Sequence, residues 1–317
     1  MIIIAAGARF DRRSHRRPHR SASAVQFRFN CPDNKADCVS TLNASRTPIG
    51  TQQSPVAFKF RINIIRAAMS YSKRFPRVMM DYDGGERPDY DDVAVEDSLT
   101  LFVNDIRIAT LIASPEQLKE LCIGYLISEG VVSSFEEIQS IDVDDDKNEA
   151  SIVVSSFDQV ELWQEVRSSG CIGMKWWTNE DVRVDSAATF EKMVLKKSLT
   201  HLDTQARRQT HGVHVAALFD ATGKLLAQAV DVGRHSAIDK VIGIYAGNDF
   251  SNTFLLSSGR QPAGMVLKAA RAGIPLILSK AAPISTGVEA AVQAGVTLIC
   301  FATGRQFAVY SHPERLV

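Results

Sequence analysis

The stretch Thr253–Lys280, TFLLSSGRQPAGMVLKAARAGIPLILSK, decides the fold. A short apolar run at 253–257 reads as a strand and leads through Ser257-Ser258-Gly259-Arg260 into a helix of about 262–272. A second apolar run follows at 274–279. Strand, helix of ten or so residues, strand is the pattern of a largely parallel sheet. The same reading extends outward. Upstream lie strands 213–219 and 224–230 around the turn Asp220-Ala221-Thr222-Gly223, then a helix of 236–246. Downstream lie a helix of 285–294, a strand of 296–301 and a last strand of 307–310. The expectation is an α/β domain over 206–317, its sheet covered on both faces.

Before it, residues 90–165 read as a smaller α+β unit. Leu99–Val103 and Ile106–Leu111 flank Asn104-Asp105 as a β-hairpin. Ser114-Pro115-Glu116 predicts a helix start, with Ser114 as N-cap and Pro115 in the first turn. Leu118, Leu121, Cys122, Tyr125 and Leu126 form its apolar stripe, and Gly130 ends it. Strands of about 138–143 and 149–155 follow, joined by an Asp-rich turn. Residues 166–205 read as a loop carrying Cys171 and then a connecting helix of about 187–200, opened by Asp185-Ser186.

The 317 residues are 45% hydrophobic and carry 36 basic and 36 acidic side chains. That balance hides an asymmetry: residues 1–80 hold 15 Lys and Arg against 3 Asp and Glu. This segment reads as a disordered extension, an organellar leader or a translated stretch ahead of a start at Met69, Met79 or Met80. The last reading is preferred, and the segment stays out of the functional argument. No apolar run spans a membrane. Five cysteines, Cys31, Cys38, Cys122, Cys171 and Cys300, at irregular spacing predict a reducing, cytoplasmic setting.

Open α/β sheets bind ligands at the carboxyl ends of their strands. Here those ends carry Asp231-Val232-Gly233-Arg234-His235, Ser257-Ser258-Gly259-Arg260, Ser279-Lys280-Ala281-Ala282-Pro283 and Ala302-Thr303-Gly304-Arg305. Each loop has a strong cation, and three open onto helix N-termini. Arginine forks match phosphate oxygens. An anionic, phosphate-bearing ligand along one edge of the sheet is the reading. No Walker loop or Gly-x-Gly-x-x-Gly fingerprint is present, which disfavours an ATPase or a nicotinamide dehydrogenase. His211, His214 and His235 lie near this edge, but the Pro-Cys-x-x-Cys of zinc deaminases is missing. No bound metal and no nucleic-acid partner are expected.

Glycines flank the thiol in Gly170-Cys171-Ile172-Gly173-Met174. The spacing is that of a Cys-x-x-Cys pair whose second member is Met174. A lone thiolate can attack, carry or ligate, but it cannot close an internal disulfide with a neighbour.

Taken together, these residues resemble the FdhD/NarQ family of formate dehydrogenase accessory sulfurtransferases. The resemblance rests on Leu126-Ile127-Ser128-Glu129-Gly130, Gly170-Cys171, Thr210-His211-Gly212-Val213-His214-Val215-Ala216 and Asp231–Lys240. Ser257–Arg260, Lys268–Pro275 and Val309–Pro313 complete it, so it runs from about residue 92 to the C-terminus. It implies a cytidine-deaminase-like three-layer α/β/α domain without the deaminase zinc, usually in a homodimer. It implies a sulfur carrier: a cysteine desulfurase would load Cys171 as a persulfide. Cys171 would pass the sulfur to the bis(molybdopterin guanine dinucleotide) form of the molybdenum cofactor, a transient substrate, for formate dehydrogenase. The family's guanine-dinucleotide segment maps onto Phe301, Ala302, Thr303, Gly304, Arg305 and Gln306. Gly233, Arg234, His235, Ser258, Gly259, Arg260 and His214 complete the expected cofactor edge. Departures stand at Met174, Val230, Gly264 and Gln306, where the family typically has Cys, Glu, Glu and Arg. A non-catalytic cofactor-binding chaperone, or a paralogue serving another molybdenum or tungsten enzyme, is the alternative.

Overall fold

The fold is that of a computed structural model describing residues 71–155 and 182–317. It opens with a two-stranded ribbon in which β1 (Ser72–Met80) pairs antiparallel along its length with β2 (Glu86–Ala94). Regular structure therefore begins inside the 1–80 stretch expected to be an extension. The ribbon escapes a periodicity reading because most of its side chains are exposed. Pro76 and Pro88 stand at positions whose backbone faces outward, which removes a donor from each edge.

A four-stranded sheet comes next. It comprises β3 (Asp97–Val103), β4 (Ile106–Ala113), β5 (Ile138–Asp144) and β6 (Glu149–Val154), in the order β4-β3-β6-β5. Asn104 and Asp105 both take positive φ, 46° and 66°, the two-residue turn that suits the twist of a hairpin. Between β4 and β5 runs α1 (Leu118–Ser128), closed by Gly130 at φ 71°. Ser114 does not cap it. The helix starts three residues later than expected, after Gln117, because Ser114 is buried and bonded to the second half of the chain.

Beyond residue 182 lie α2 (Lys192–Ser198), α3 (Gln205–Thr210), β7 (His214–Asp220), β8 (Leu225–Asp231) and α4 (Arg234–Tyr245). They are followed by β9 (Thr253–Ser257), α5 (Ala263–Arg271), β10 (Leu276–Ser279), α6 (Ser285–Ala294), β11 (Thr297–Cys300) and β12 (Ala308–Ser311). The expected helix of 187–200 is shorter, because Ser186 turns its hydroxyl to the Ser251 carbonyl and the chain stays irregular until residue 191. The main sheet has the order β12-β11-β10-β9-β7-β8. It is mixed rather than largely parallel. β9, β10 and β11 are parallel neighbours, but β7 lies antiparallel between β8 and β9, and β12 is antiparallel to β11. A tight hairpin connects β7 to β8, so it reverses direction, and α4 then carries the chain over β7 to β9.

The core has two faces. On one, Ala216, Leu218, Leu255, Ile277 and Leu298 pack with α4, α5 and α6. On the other, Val215, Phe219, Phe254, Leu278 and Ile299 meet Phe190, Leu195 and Leu202. This is an α/β fold with helical cover on both sides of the sheet and a smaller α+β unit ahead of it. α1 carries the expected stripe but is buried from Leu121 to Ser128 on all sides, because it lies against α4 and α5 and under the four-stranded sheet. Close crossing requires small residues: a Cβ on Gly124 would collide with the Asp239 carbonyl, and one on Gly243 with the Glu120 carbonyl.

Candidate anion-binding site

β8, β9, β10 and β11 run the same way, so their carboxyl ends share one edge of the sheet. The start of β7 returns to that edge and places His214 opposite Asp231. Neighbouring strands are about 4.8 Å apart, so the loops after β8 and β11 stand roughly 19 Å from each other.

The inner group forms around β7. His214 Nδ1 and Ser258 Oγ share a hydrogen bond of 3.2 Å, and the Val215 N–H donates to the same hydroxyl at 2.9 Å. Gly259 is needed here, since a Cβ would meet the Arg234 side chain at 2.8 Å. Its N–H donates to Ser257 Oγ, and its carbonyl accepts from Ser279 Oγ and Gln261 Nε2, each at 2.8 Å. Gly233 precedes the first turn of α4, which begins with Arg234 and His235. Burial lowers the pKa of His214, and the charges of Arg234, Arg207 and Arg260 push the same way. Burial, with Lys268 and Arg234, brings His235 down to about 3. Both imidazoles are neutral at pH 7 and leave the positive charge to the guanidinium groups.

Two buried ion pairs hold this edge in place. Asp231 and Lys240 are fully buried, with Nζ 2.6 Å from Oδ2. The Asp231 carboxylate also accepts from the Gly233 and Ser114 N–H groups, and Lys240 donates to the Ser114 carbonyl at 3.0 Å. The small unit thus fixes the turn that presents Arg234. Behind it, Lys268 on α5 reaches Asp239 at 2.8 Å and Glu129 at 2.9 Å, and donates to Ser128 Oγ. Burial works against the Lys268 charge, yet the Asp239 and Glu129 carboxylates outweigh it and its pKa is raised. Asp231 and Asp239 therefore neutralise buried lysines rather than the site arginines.

The outer group is the turn after β11. The Phe301 and Ala302 N–H groups donate to the carbonyls of Ala281 and Ser279, which ties the turn to the loop after β10. Phe301 has φ 53° and is 50% exposed, an aromatic ring held at the surface in the left-handed region. Thr303 accepts from the N–H groups of Arg305 and Gln306, and Gly304 has open space around it.

The structure thus brings His214, Gly233, Arg234, His235, Ser258, Gly259 and Arg260 together. Phe301 to Gln306 stand on the same edge but two strands further out. Cys171, with Met174 and the tryptophans near it, lies outside the described residues. Cys122 and Cys300 are buried, and burial pushes each thiol up to about 12. Val230 packs into the apolar face opposite α4, and Gly264 lies 3.8 Å from His235 Nε2 at the nearest approach of a Cβ. Arg207 was not legible as a site residue. It sits beside Arg208 on a short polar helix, where two arginines read as a solvated face, and Arg208 does pair with Asp203 there.

Comparison with known proteins gives a consistent set. The model of the FdhD/NarQ family matches residues 94–317. The Sulfur carrier protein FdhD of Methanothermobacter thermautotrophicus is 40% identical over 237 residues, covering 68% of this chain and 91% of that protein. The Sulfur carrier protein FdhD of Bacillus subtilis is 32% identical over 248 residues, covering 74% of this chain and 94% of that protein. Among solved structures, a candidate formate dehydrogenase accessory protein from Desulfotalea psychrophila superposes with a TM-score of 0.66 at 27% identity, covering 78% of this chain and all of that one. Among the described residues no helix is long and apolar enough to cross a membrane.

Proposed function

This chain belongs to the FdhD/NarQ family, and from that premise we propose that it is a sulfur carrier serving formate dehydrogenase. In this reading a cysteine desulfurase presents a persulfide. The Cys171 thiolate attacks the terminal sulfur, the desulfurase S–S bond breaks, and its cysteine leaves as the thiolate. The sulfur then passes to the molybdenum of a bis(molybdopterin guanine dinucleotide) cofactor. It is reduced to sulfide at the expense of the acceptor, and Cys171 returns as the thiolate.

The observation that carries the reading is the cationic strand-end edge. A dinucleotide cofactor has phosphates and a flat base. The inner group offers guanidinium forks and α4 backbone N–H groups for the phosphates. The outer turn offers the exposed Phe301 ring, a surface on which a base can stack. The neutral His214 and Ser258 supply hydrogen bonds without adding charge. A paralogue for another molybdenum or tungsten enzyme is the second reading. It is favoured by Gly264, which leaves space beside His235 Nε2.

Incubation with a cysteine desulfurase and sulfur-labelled cysteine tests the carrier step. Wild-type protein should acquire reductant-releasable label, and Cys171→Ala should lose roughly nine-tenths of it or more, as expected when the one attacking thiolate is removed. Equal labelling of the two would reject a Cys171 carrier.

A further inference from the structure

The ribbon of β1 and β2 is the least covered part of the fold. Nine residues of each strand pair without a break, over roughly 30 Å. Its base is tied where the Val95 N–H donates to the Tyr71 carbonyl and where Ala94 lies against Gly212, just beyond α3. Among the described residues no third strand joins it. A two-stranded ribbon is marginally stable by itself and gains from cover on a face.

Cross-strand partners share a face. One face is closed over by the ribbon's own charges: Arg77 reaches Asp89 at 2.8 Å and Asp91 at 2.6 Å. The other is apolar at its centre, where Pro76 stands opposite Tyr90 and Val78 opposite Pro88. Val78 is 55% exposed, and Met80, the next residue along this face, is 66% exposed. At the base of the face Arg74 and Asp92 stand opposite each other, yet among the described residues neither forms an ion pair. Arg74 lies instead over the Tyr90 ring, 5.4 Å from its centre. A proline in each strand discourages a further strand at either edge, so the open approach is to the face.

We propose that this face packs on the same face of a second copy of the chain, about a twofold axis parallel to the strands. Such an axis lays β1 of one copy over β2 of the other, so each residue meets the cross-strand partner of its counterpart. Val78 then meets Pro88 at an apolar centre, and Arg74 meets Asp92 twice, once on each side of the axis. The charges choose this arrangement. Turning one ribbon end for end would set Asp92 against Glu86, a like-charge contact. The face offers roughly 300 Å² per copy. That is below the area of a permanent interface, so the dimer forms and dissociates with concentration. The inference is independent of the sulfur-carrier reading.

The test is sedimentation velocity of the full-length chain over a concentration series. Wild-type protein should pass from monomer to dimer as concentration rises. Arg74→Asp and Asp92→Arg each create two like-charge contacts across the axis, and each should weaken association about 10-fold or more. Lys73→Asp makes the same charge change on the opposite face of the ribbon and should match wild type. An equimolar mixture of Arg74→Asp and Asp92→Arg should associate about as well as wild type, because every contact between the two unlike copies is again of opposite charge. A ribbon that had merely lost its fold would not be rescued by mixing. Wild-type protein that stays monomeric throughout overturns the proposal. So does a dimer that neither single variant weakens, since its contact then lies elsewhere, and so does a mixture that associates no better than its components.

Discussion

His235 opens α4 at the site, and burial with Lys268 and Arg234 beside it holds its pKa at about 3. An unfolded chain returns it to the ordinary value near 6.5. Between those values the unfolded state takes up a proton that the folded state refuses. Stability is therefore unaffected by this group above pH 6.5 and falls as pH drops below it. The slope from one such group is at most about 1.4 kcal/mol per pH unit. Urea unfolding at pH 7 and pH 5 should show the wild type losing more stability than His235→Gln over that interval. Identical losses would mean that His235 is not neutral in the fold. The same neutrality leaves the positive charge of the candidate site to the arginines.

At the scale of elements, the crossing of α1 and α4 is the most constrained contact. Gly124 and Gly243 let the two backbones meet where any side chain would strike a carbonyl. Gly243→Ala should cost about 1–3 kcal/mol, the usual range for overpacking. Gly264→Ala makes the contrast. A methyl there has only His235 Nε2 near it, at 3.8 Å, so helix propensity should make the change neutral or slightly stabilising. Denaturant midpoints of the two variants would separate these effects, and a neutral Gly243→Ala would show that the helices are free to move apart. The crossing bears on function because α4 carries Arg234 and His235 on its first turn.

For the molecule as a whole, Lys268 is where α1, α4 and α5 share one charge. It pairs with Asp239 on α4 and with Glu129 at the end of α1, and its Nζ lies 5.3 Å from the Tyr125 ring centre. Lys268→Met would leave two carboxylates buried without their cation. Breaking such a network costs about 3–5 kcal/mol. Equilibrium unfolding should show a loss of that order, and a loss below about 1 kcal/mol would show that the carboxylates find other partners. Both sheets should unfold together, because the four-stranded sheet and the main-sheet helices share one apolar cluster.

The element order of the described residues was largely legible, because short apolar runs, a two-residue Asn-Asp turn and a glycine stop are local signals of burial and backbone geometry. The strand-end loops were legible for the same reason: each follows directly from where a strand stops. Ser114 was misread because its N–H and hydroxyl are engaged by residues 117 and 118 positions away. The antiparallel place of β7 was not readable either, since a hairpin says which strands are paired but not which neighbour takes the other edge. Arg207 is the strongest case. Its sequence neighbourhood is an ordinary polar helix, and only the assembled fold brings its charge to bear on His214. The sequence by itself determined the elements and the cationic character of the strand-end loops, because those depend on neighbours along the chain. The tertiary structure alone decided which charges meet and which are cancelled, because Coulomb forces and desolvation act through space.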